Sequence, residues 1–202
     1  EIQNVIDQLY KDFALKELGE LNYFLGVEVT KLGESLHLSQ TKYIADLLKK
    51  TNMASTSSFP TPMSTGFKLT KTEKEKFKDV SLYRSVVRAL QYVTLTRPEI
   101  PFAVNKLSQF LSSPSKQQWQ CCKRILRYLQ GTKEHGLVFN PGRGLSLTAF
   151  TDADWACDID DRKSFGGYFI YLAGNLVSWN SKKQRVVARS STESEYRALS
   201  QV

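Results

Sequence analysis

The chain has 202 residues, of which 41% are hydrophobic and 24% charged, and its net charge is +8 at neutral pH. This composition is ordinary for a globular protein and excludes a collagen-like or wholly disordered chain. No run of about 18 apolar residues is present, so we expect no membrane-spanning helix, and no signal-peptide core follows the N-terminus. The first residue is not Met and the last lies within a helical pattern, so we expect a piece of a longer protein.

The three cysteines, Cys121, Cys122 and Cys157, make a poor disulfide framework because their number is odd and two of them are adjacent. A zinc site is not expected either, since neither His37 nor His135 has the spacing of a zinc ligand. We predict that Cys121 and Cys122 pack inertly on a helix and that the compartment is reducing.

The charges are distributed unevenly along the chain. Residues 1–30 carry a net charge of −4, residues 31–145 carry +12, and residues 146–202 are neutral. A strongly basic stretch that also contains Tyr, Trp and Phe suits contact with phosphates and stacking on bases. The alternative is a solvated basic surface that has no ligand.

The first 140 residues combine helical and strand patterns with one irregular segment. Apolar residues recur at helical spacing in five places, whereas two segments rich in aromatic and branched residues have the pattern of a β-hairpin. Residues 51–80 are rich in Ser, Thr, Pro and Lys and are expected to form a linker or a long exposed loop. The predicted helices are 1–13, 41–50, 82–96, 99–111 and 115–130, and the predicted strands are 23–30 and 35–38.

After Gly136 the spacing of apolar residues changes to the period of two that is typical of strands. Three strands are predicted, at Leu145–Asp152, Gly167–Leu172 and Leu176–Trp179, and a helix opens at Ser190–Thr192. We expect one antiparallel sheet with the last helix packed against it. Together with the helices before it, this sheet predicts the α+β class.

The acidic residues of this last part are candidate metal ligands. Asp152 ends the first of the three strands and Asp154 follows two residues later, so both side chains point the same way. Glu193 and Glu195 are about 200° apart around a helix and cannot both face one site. If the strand packs beside the helix, Asp152 and one glutamate can converge, which is an arrangement that Mg²⁺ requires for phosphodiester hydrolysis.

Structural roles for the same acids remain open at this point. Ser190 with Glu193, and Thr192 with Glu195, both have the spacing of a capping box at the start of a helix. Acidic residues in a first turn also interact favourably with the helix dipole. Three further aspartates, Asp158, Asp160 and Asp161, are expected to lie in a solvated loop.

Two sets of sequence motifs are recognisable. The later motifs are Thr151–Ala156, Asp160–Ser164, Gly167–Tyr168, Ser178–Gln184 and Ala188–Leu199. The earlier motifs are Leu18–Val29, Leu38–Tyr43, Tyr83–Ser85 and Ala89–Pro98. The later set resembles the ribonuclease H domain of copia-type (Pseudoviridae) LTR retrotransposon Pol polyproteins, and the earlier set resembles the reverse transcriptase of the same polyprotein.

The resemblance implies that residues 1–140 are the C-terminal part of a reverse transcriptase, with the end of the palm and thumb-like helices. The Tyr-x-Asp-Asp signature that carries the palm carboxylates is absent from this chain, so we expect no nucleotide addition. Tyr23, Phe24, Leu25 and Gly26 resemble the primer-grip region, which holds the 3′ end of the primer. The alternative for these residues is a hairpin that only packs on the palm.

The resemblance also implies that residues 141–202 begin a truncated ribonuclease H-like domain. Asp152 and Glu195 match two catalytic, Mg²⁺-binding acids of that family, while its later Asp positions have no counterpart here, so Mg²⁺ binding should be weak and cleavage absent. The implied partners are RNA–DNA hybrid, DNA, RNA and the rest of the Pol polyprotein. The implied location is intracellular, in a cytoplasmic virus-like particle or the nucleus. The rival is a non-catalytic basic nucleic-acid-binding remnant of a decayed element.

Overall fold

The computed structural model describes residues 2–14, 19–64, 69–142 and 144–202. Residue 1, Leu18 at the start of the first motif, and positions 65–68 of the predicted linker lie outside the described residues. The described helices are α1 (Ile2–Asp12), α2 (Thr41–Lys50), α3 (Val80–Val93), α4 (Pro101–Ser108), α5 (Lys116–Gly131) and α6 (Ser191–Leu199). The described strands are β1 (Tyr23–Phe24), β2 (Val27–Leu32), β3 (Ser35–Ser39), β4 (Gly136–Phe139), β5 (Leu147–Asp154), β6 (Phe165–Leu172) and β7 (Asn175–Lys183).

The strands form two antiparallel sheets, one in the order β1-β2-β3-β4 and one in the order β5-β6-β7. The mixed α+β class is therefore confirmed. We call the first sheet with α2–α5 the first lobe, and the second sheet with α6 the second lobe. The predicted division at residue 140 falls between β4 and β5.

The predicted strand 23–30 is wrong in one respect, because a turn divides it into β1 and β2. Leu25 and Gly26 both have positive φ angles, of 47° and 76°, so the chain reverses there and Phe24 pairs with Val27. The alternation of apolar residues continues through the turn, so periodicity alone does not reveal it. The consequence is a short, exposed β-turn where a straight strand was expected.

Four helices, α2–α5, supply the core of the first lobe. Their apolar stripes bury side chains such as Ile44, Leu90 and Leu126 to 1% exposure or less, each of which stabilises the fold by roughly 1.5–3 kcal/mol. The Tyr83 hydroxyl donates to the carbonyl oxygen of Leu107 inside this core (2.9 Å). Cys121 and Cys122 are buried there as predicted, and burial raises the pKa of Cys121 to about 11.

Arg97 is buried where the chain turns from α3 towards α4. Its guanidinium contacts the Glu99 carboxylate at 2.6 Å and donates to both the carbonyl oxygen and the hydroxyl of Thr132. Since a buried charge is tolerated only when it is paired and hydrogen-bonded, these contacts fix the α3–α4 corner against the end of α5. The same corner carries Thr94 and Phe102, which contact the second lobe.

The segment 51–80 is not the freely exposed linker that its composition predicts. In its described part, Met53 and Leu69 are buried in the helical core. Phe59 lies under two guanidinium groups of α5, 4.5 Å from Arg124 and 4.0 Å from Arg127, measured to its ring centroid. Apolar anchors and cation–π contacts thus hold an irregular but docked segment against α5.

The second sheet packs on α6 by one face and on α4 by the other. Gly166 of β6 faces Ala198 of α6, because a Cβ atom at Gly166 would lie 3.2 Å from the Ala198 Cβ. On the opposite face, Phe165 contacts Phe102 of α4 with ring centroids 5.4 Å apart. The predicted packing of the last helix on the sheet is therefore confirmed.

Candidate nucleic-acid interface

A wide groove of about 940 Å³ runs between α2 and α3 on the surface of the first lobe. The α3 wall is a solvent-facing stripe, since its side chains recur three or four residues apart on one face of the helix. The α2 wall consists of two side chains that are two helical turns apart. The lining residues are Tyr43 and Lys50 from α2, Ser81, Arg84, Ser85, Arg88, Ala89, Gln91 and Tyr92 from α3, and Leu95 just beyond it.

The groove is cationic and contains no carboxylate among its lining residues. Lys50 Nζ donates to the Ser85 hydroxyl across the groove (3.0 Å), and Arg84 Nε donates to the carbonyl oxygen of Leu111 (2.8 Å). Arg88 has no ion-pair partner among the described residues and its side chain is exposed. Three cations with free or shared donors thus face solvent on one concave surface, as phosphate binding requires.

Two tyrosines form the floor of this groove. The rings of Tyr43 and Tyr92 contact edge to face with centroids 4.9 Å apart. Desolvation by burial, and then the neighbouring Tyr92, raise the pKa of Tyr43, so its hydroxyl keeps its proton to a higher pH than an exposed tyrosine does. Aromatic surface beside cations is the combination that binds unpaired bases and phosphates together.

The turn Tyr23–Gly26 lies against the same groove. A Cβ atom at Gly26 would lie 3.1 Å from the hydroxyl oxygen of Tyr92, so the turn rests on this tyrosine. The three side chains before Gly26 are more than half exposed: Tyr23, Phe24 and Leu25. The structure therefore brings the predicted primer-grip residues beside the cationic groove and leaves their apolar surface open to solvent.

Asp152 and Asp154 share one face of the second sheet, as predicted from their spacing. In β5 they pair with Gly167 and Phe165 respectively, and both line a cavity of about 290 Å³ between this sheet and α4. Ala153 pairs with Gly166 and so lies on the face that α6 covers. The alternation of a strand consequently places Asp152 on the face away from α6.

The two glutamates of α6 have different environments. The Ser190 hydroxyl accepts from the backbone N–H of Glu193, and the Glu193 carboxylate accepts from the backbone N–H of Arg189 (2.8 Å) and from Arg197 (2.8 Å). The Arg189 N–H and then the Arg197 side chain lower the pKa of Glu193. Ser190 is thus the N-cap of α6, but the reciprocal bond of a capping box is not formed, because the Glu193 carboxylate bonds Arg189 rather than Ser190. Glu195 is exposed on the helix surface.

The predicted Mg²⁺ ligands do not form a complete metal site within the residues that the structure describes. Across these residues, no cluster of three or more His, Cys, Asp or Glu side chains is arranged to hold a metal ion. Asp152 has Asp154 beside it, but α6, which carries Glu195, packs on the other face of the sheet. The residues present therefore do not fit a two-metal centre on their own.

The expectation of a solvated loop is wrong for Asp158. This residue is 7% exposed, and its carboxylate binds Lys183 Nζ at 2.7 Å, with Asp161 on the same ammonium group at 2.9 Å. Asp160 accepts from the Thr70 hydroxyl (2.6 Å) and the Lys71 backbone N–H (3.0 Å) of the first lobe. These acids bind the turn before β6 to Lys183 of β7 and to residues 70–71, so their role is structural.

Sequence reasoning located the basic stretch but missed the groove itself. The signal was the second stripe of α3: Arg84 and Arg88 lie on the face opposite its buried apolar residues, at a spacing of four. Any solvated helix has such a basic stripe, and the feature that distinguishes α3 is Lys50 of α2, which faces it across the groove.

Among the helices that the structure describes, none combines the length and the apolar character of a membrane span.

Comparisons with known proteins agree on one family. Residues 1–65 match the family described as reverse transcriptase (RNA-dependent DNA polymerase). The chain is 46% identical over 98% of its length to the retrovirus-related Pol polyprotein from transposon RE2 of Arabidopsis thaliana, and 41% identical over 96% to that from transposon TNT 1-94 of Nicotiana tabacum. It spans 14% and 15% of these two relatives.

A shorter relative matches almost from end to end. An uncharacterized mitochondrial protein of Arabidopsis thaliana is 42% identical over 96% of this chain and 81% of its own length. No solved structure matches the chain.

Proposed function

Because the chain belongs to the copia-type family of retrotransposon Pol polyproteins and their reverse transcriptases, we propose that it is a nucleic-acid-binding segment that holds an RNA–DNA hybrid. The observation that carries the proposal is the cationic groove between α2 and α3, with Lys50, Arg84 and Arg88 on its walls. Binding is the function, and neither polymerisation nor cleavage is expected of this chain alone.

The groove supports contact with the phosphate backbone. Each cation that neutralises a phosphate releases a condensed counterion, so three contacts give a log–log salt slope of about −2 to −3. Such contacts orient a nucleic acid without reading its sequence. We therefore expect the chain to bind hybrid, DNA and RNA with affinities that depend more on salt than on sequence.

The turn Tyr23–Gly26 supports a primer-grip-like role at one end of the groove. Exposed aromatic rings cost free energy in water, and base stacking on such rings is worth about 1–3 kcal/mol per base. Lys42 Nζ lies 5.8 Å from the centroid of the Tyr23 ring and adds positive charge at this end. A terminal nucleotide could stack on Tyr23 or Phe24 while the groove holds the phosphates that precede it.

The wider context follows from the family. We propose that the chain works as part of a Pol polyprotein, in the cytoplasm within a virus-like particle or in the nucleus. Asp152 and Glu195 stay the proposed Mg²⁺ ligands of a ribonuclease H-like part. Because α6 packs on the sheet face opposite Asp152 and no third ligand joins them in the described residues, this chain alone would bind Mg²⁺ weakly.

The test compares hybrid binding by the chain and by two single variants, Arg88→Ala in the groove and Lys74→Ala on an exposed loop outside it. Both variants remove one positive charge, so a nonspecific basic surface responds equally to each. We expect Arg88→Ala to weaken binding of a labelled RNA–DNA hybrid about 5–10-fold at low salt and to reduce the salt slope by about one. Fluorescence anisotropy at several salt concentrations measures both quantities.

Equal losses in Arg88→Ala and Lys74→Ala would show that the groove is not the site. The absence of hybrid binding at low salt would remove the function itself.

A further inference from the structure

The second lobe has a groove of its own, on the sheet face that α6 covers. Its volume is about 550 Å³, and β6, β7, the segment after β7 and the end of α6 all contribute to it. No carboxylate is among its lining residues.

Three positive charges serve this groove from separate elements. Lys182 lies near the end of β7, Arg185 follows the strand, and both are exposed without an ion-pair partner among the described residues. Arg197 of α6 is held by Glu193, four residues earlier, at 2.8 Å. This pair fixes the guanidinium on the groove side of the helix and leaves part of its donor capacity for a ligand, since a guanidinium has five N–H donors.

The polar residues of the groove are those that contact nucleic-acid backbones. Phosphate oxygens are bound by Arg and Lys together with Ser, Asn, Gln and Tyr side chains, and the groove offers Ser200, Asn180, Gln201 and Tyr168 beside its cations. Tyr168 and Asn180 form a register pair on adjacent strands, so the two lie side by side on the floor. The chemistry is that of a strand-binding surface with one ring available for stacking.

Most acidic side chains of this lobe lie outside the groove, and Glu193 of α6 is paired with Arg197. Residues 146–202 contain seven acidic and seven basic side chains. Asp152 and Asp154 face α4, and Asp158 and Asp161 are neutralised by Lys183. A lobe without net charge therefore carries a locally positive groove, which its composition conceals.

We infer that this groove, formed around Lys182, Arg185 and Arg197, is a second nucleic-acid site that binds the phosphate backbone of a single strand. The inference extends the proposed function, on which it rests for the class of ligand. It assigns to the second lobe a binding surface on the face opposite Asp152. Two separate grooves would let the chain hold one nucleic acid at two points.

The experiment measures binding of a labelled single-stranded DNA oligonucleotide by fluorescence anisotropy in the Arg88→Ala background, in which the first groove is weakened. The test variant adds Lys182→Ala and Arg185→Ala. The matched control adds Lys74→Ala and Arg189→Ala, which remove the same charge from exposed positions outside the groove. We expect the test variant to bind about 10-fold more weakly at low salt and the control to change less than two-fold. Thermal unfolding of each variant confirms that it is folded.

Inorganic triphosphate as a competitor separates a backbone site from a site for free phosphate. Displacement of the oligonucleotide only at concentrations far above that of an unlabelled strand supports the strand site. Displacement at equal concentration would overturn it in favour of a small-anion site. Equal losses of oligonucleotide affinity in the test and control variants would also overturn the second site. A loss of hybrid affinity in Arg88→Ala alone would still support binding in the first groove. Conversely, a loss confined to the Lys182/Arg185 variant would place binding in the second lobe alone.

Discussion

Gly26 links the exposed β-turn to the groove because two constraints meet at this residue. Its φ of 76° is in the left-handed region, and a Cβ atom there would lie 3.1 Å from the Tyr92 hydroxyl oxygen and 3.2 Å from Cε1 of the same ring. Gly33, in the β2–β3 turn, has a similar φ of 63° but no neighbour within 4 Å of the Cβ position. The two glycines therefore share a positive φ, which would strain any L-residue placed there, and differ in their contact with Tyr92.

We predict that Gly26→Ala weakens hybrid binding while Gly33→Ala does not. Both variants should lose roughly 1 kcal/mol of unfolding free energy, since an L-residue is strained at positive φ. Gly26→Ala should also displace the turn from Tyr92 and lower hybrid affinity several-fold. Urea denaturation measures the first effect and anisotropy the second. Unchanged affinity in Gly26→Ala would mean that the turn takes no part in binding and is only a packed hairpin.

At the scale of single elements, α6 separates a structural glutamate from an exposed one. Ser190 caps the helix, while the Glu193 carboxylate accepts from the Arg189 N–H just before the cap and pairs with Arg197 in the next turn. The side chain of Glu195 has no hydrogen-bond partner within the part of the chain that the structure describes. Glu193 thus has a structural role at the helix start, and the assignment of Glu195 to catalysis stays a prediction.

We predict that Glu193→Gln lowers the melting temperature at pH 7 and that Glu195→Gln leaves it nearly unchanged. The lowered pKa of Glu193 gives the sign of the pH dependence. A carboxylate whose pKa is lower in the folded state stabilises that state above its unfolded pKa, about 4.3 for Glu, and the stabilisation is lost as the pH falls through the folded value. The difference in melting temperature between the native chain and Glu193→Gln should therefore shrink below about pH 4. Thermal unfolding followed by circular dichroism checks this, and a difference in melting temperature that grew in acid would contradict the stabilising role of the Glu193 carboxylate.

Elements with a strong local signal are predictable from the sequence. Residues 115–130 are predicted as a helix and α5 occupies 116–131, because a long apolar stripe and the Ser115 cap both act locally. The break at Leu25–Gly26 is not predictable, since its conformation depends on contact with Tyr92, which is remote in sequence. The burial of Asp158 escapes prediction for the same reason, because its partner Lys183 lies on another strand.

The candidate sites also combine features that local spacing predicts with features that depend on tertiary packing. The spacing of Asp152 and Asp154 predicts that they share a face, as they do. Which face α6 covers depends on packing between Gly166 and Ala198, and no local pattern encodes that choice. The grooves are also products of tertiary packing, since each combines cations from different elements.

At the scale of the whole molecule, the two lobes are joined by specific polar contacts as well as by Phe102 and Phe165. Asn105 Nδ2 donates to the Ser181 carbonyl oxygen (2.5 Å), Trp179 Nε1 donates to that of Thr94 (3.1 Å), and Lys183 Nζ donates to Gln109 (2.9 Å). Partly buried hydrogen bonds of this kind fix relative orientation because an unsatisfied partner is costly. The two grooves are therefore carried on one connected scaffold.

This scaffold places binding and cleavage in different parts of the sequence. The cations of both grooves lie within the described residues, whereas a two-metal hydrolase must position both ions against the attacking and leaving oxygens. Asp152 and Asp154 are two carboxylates on one face, and no third ligand joins them in the described ranges. The long relatives, of which this chain spans 14–15%, have ample length to supply further acids.

We predict that residues 1–202 bind a labelled RNA–DNA hybrid in Mg²⁺ but do not cleave it measurably. A version lengthened by the segment that follows the matched region in the long relatives should cleave the hybrid, because additional carboxylates would complete the site. Asp152→Asn in the lengthened version should then abolish cleavage while leaving hybrid binding within two-fold, since the cationic grooves are separate from Asp152. Gel analysis of the products and anisotropy measure the two effects. Robust cutting by residues 1–202 would contradict the incomplete site, and unchanged cutting by lengthened Asp152→Asn would shift the assignment to Asp154, which shares its face of the sheet.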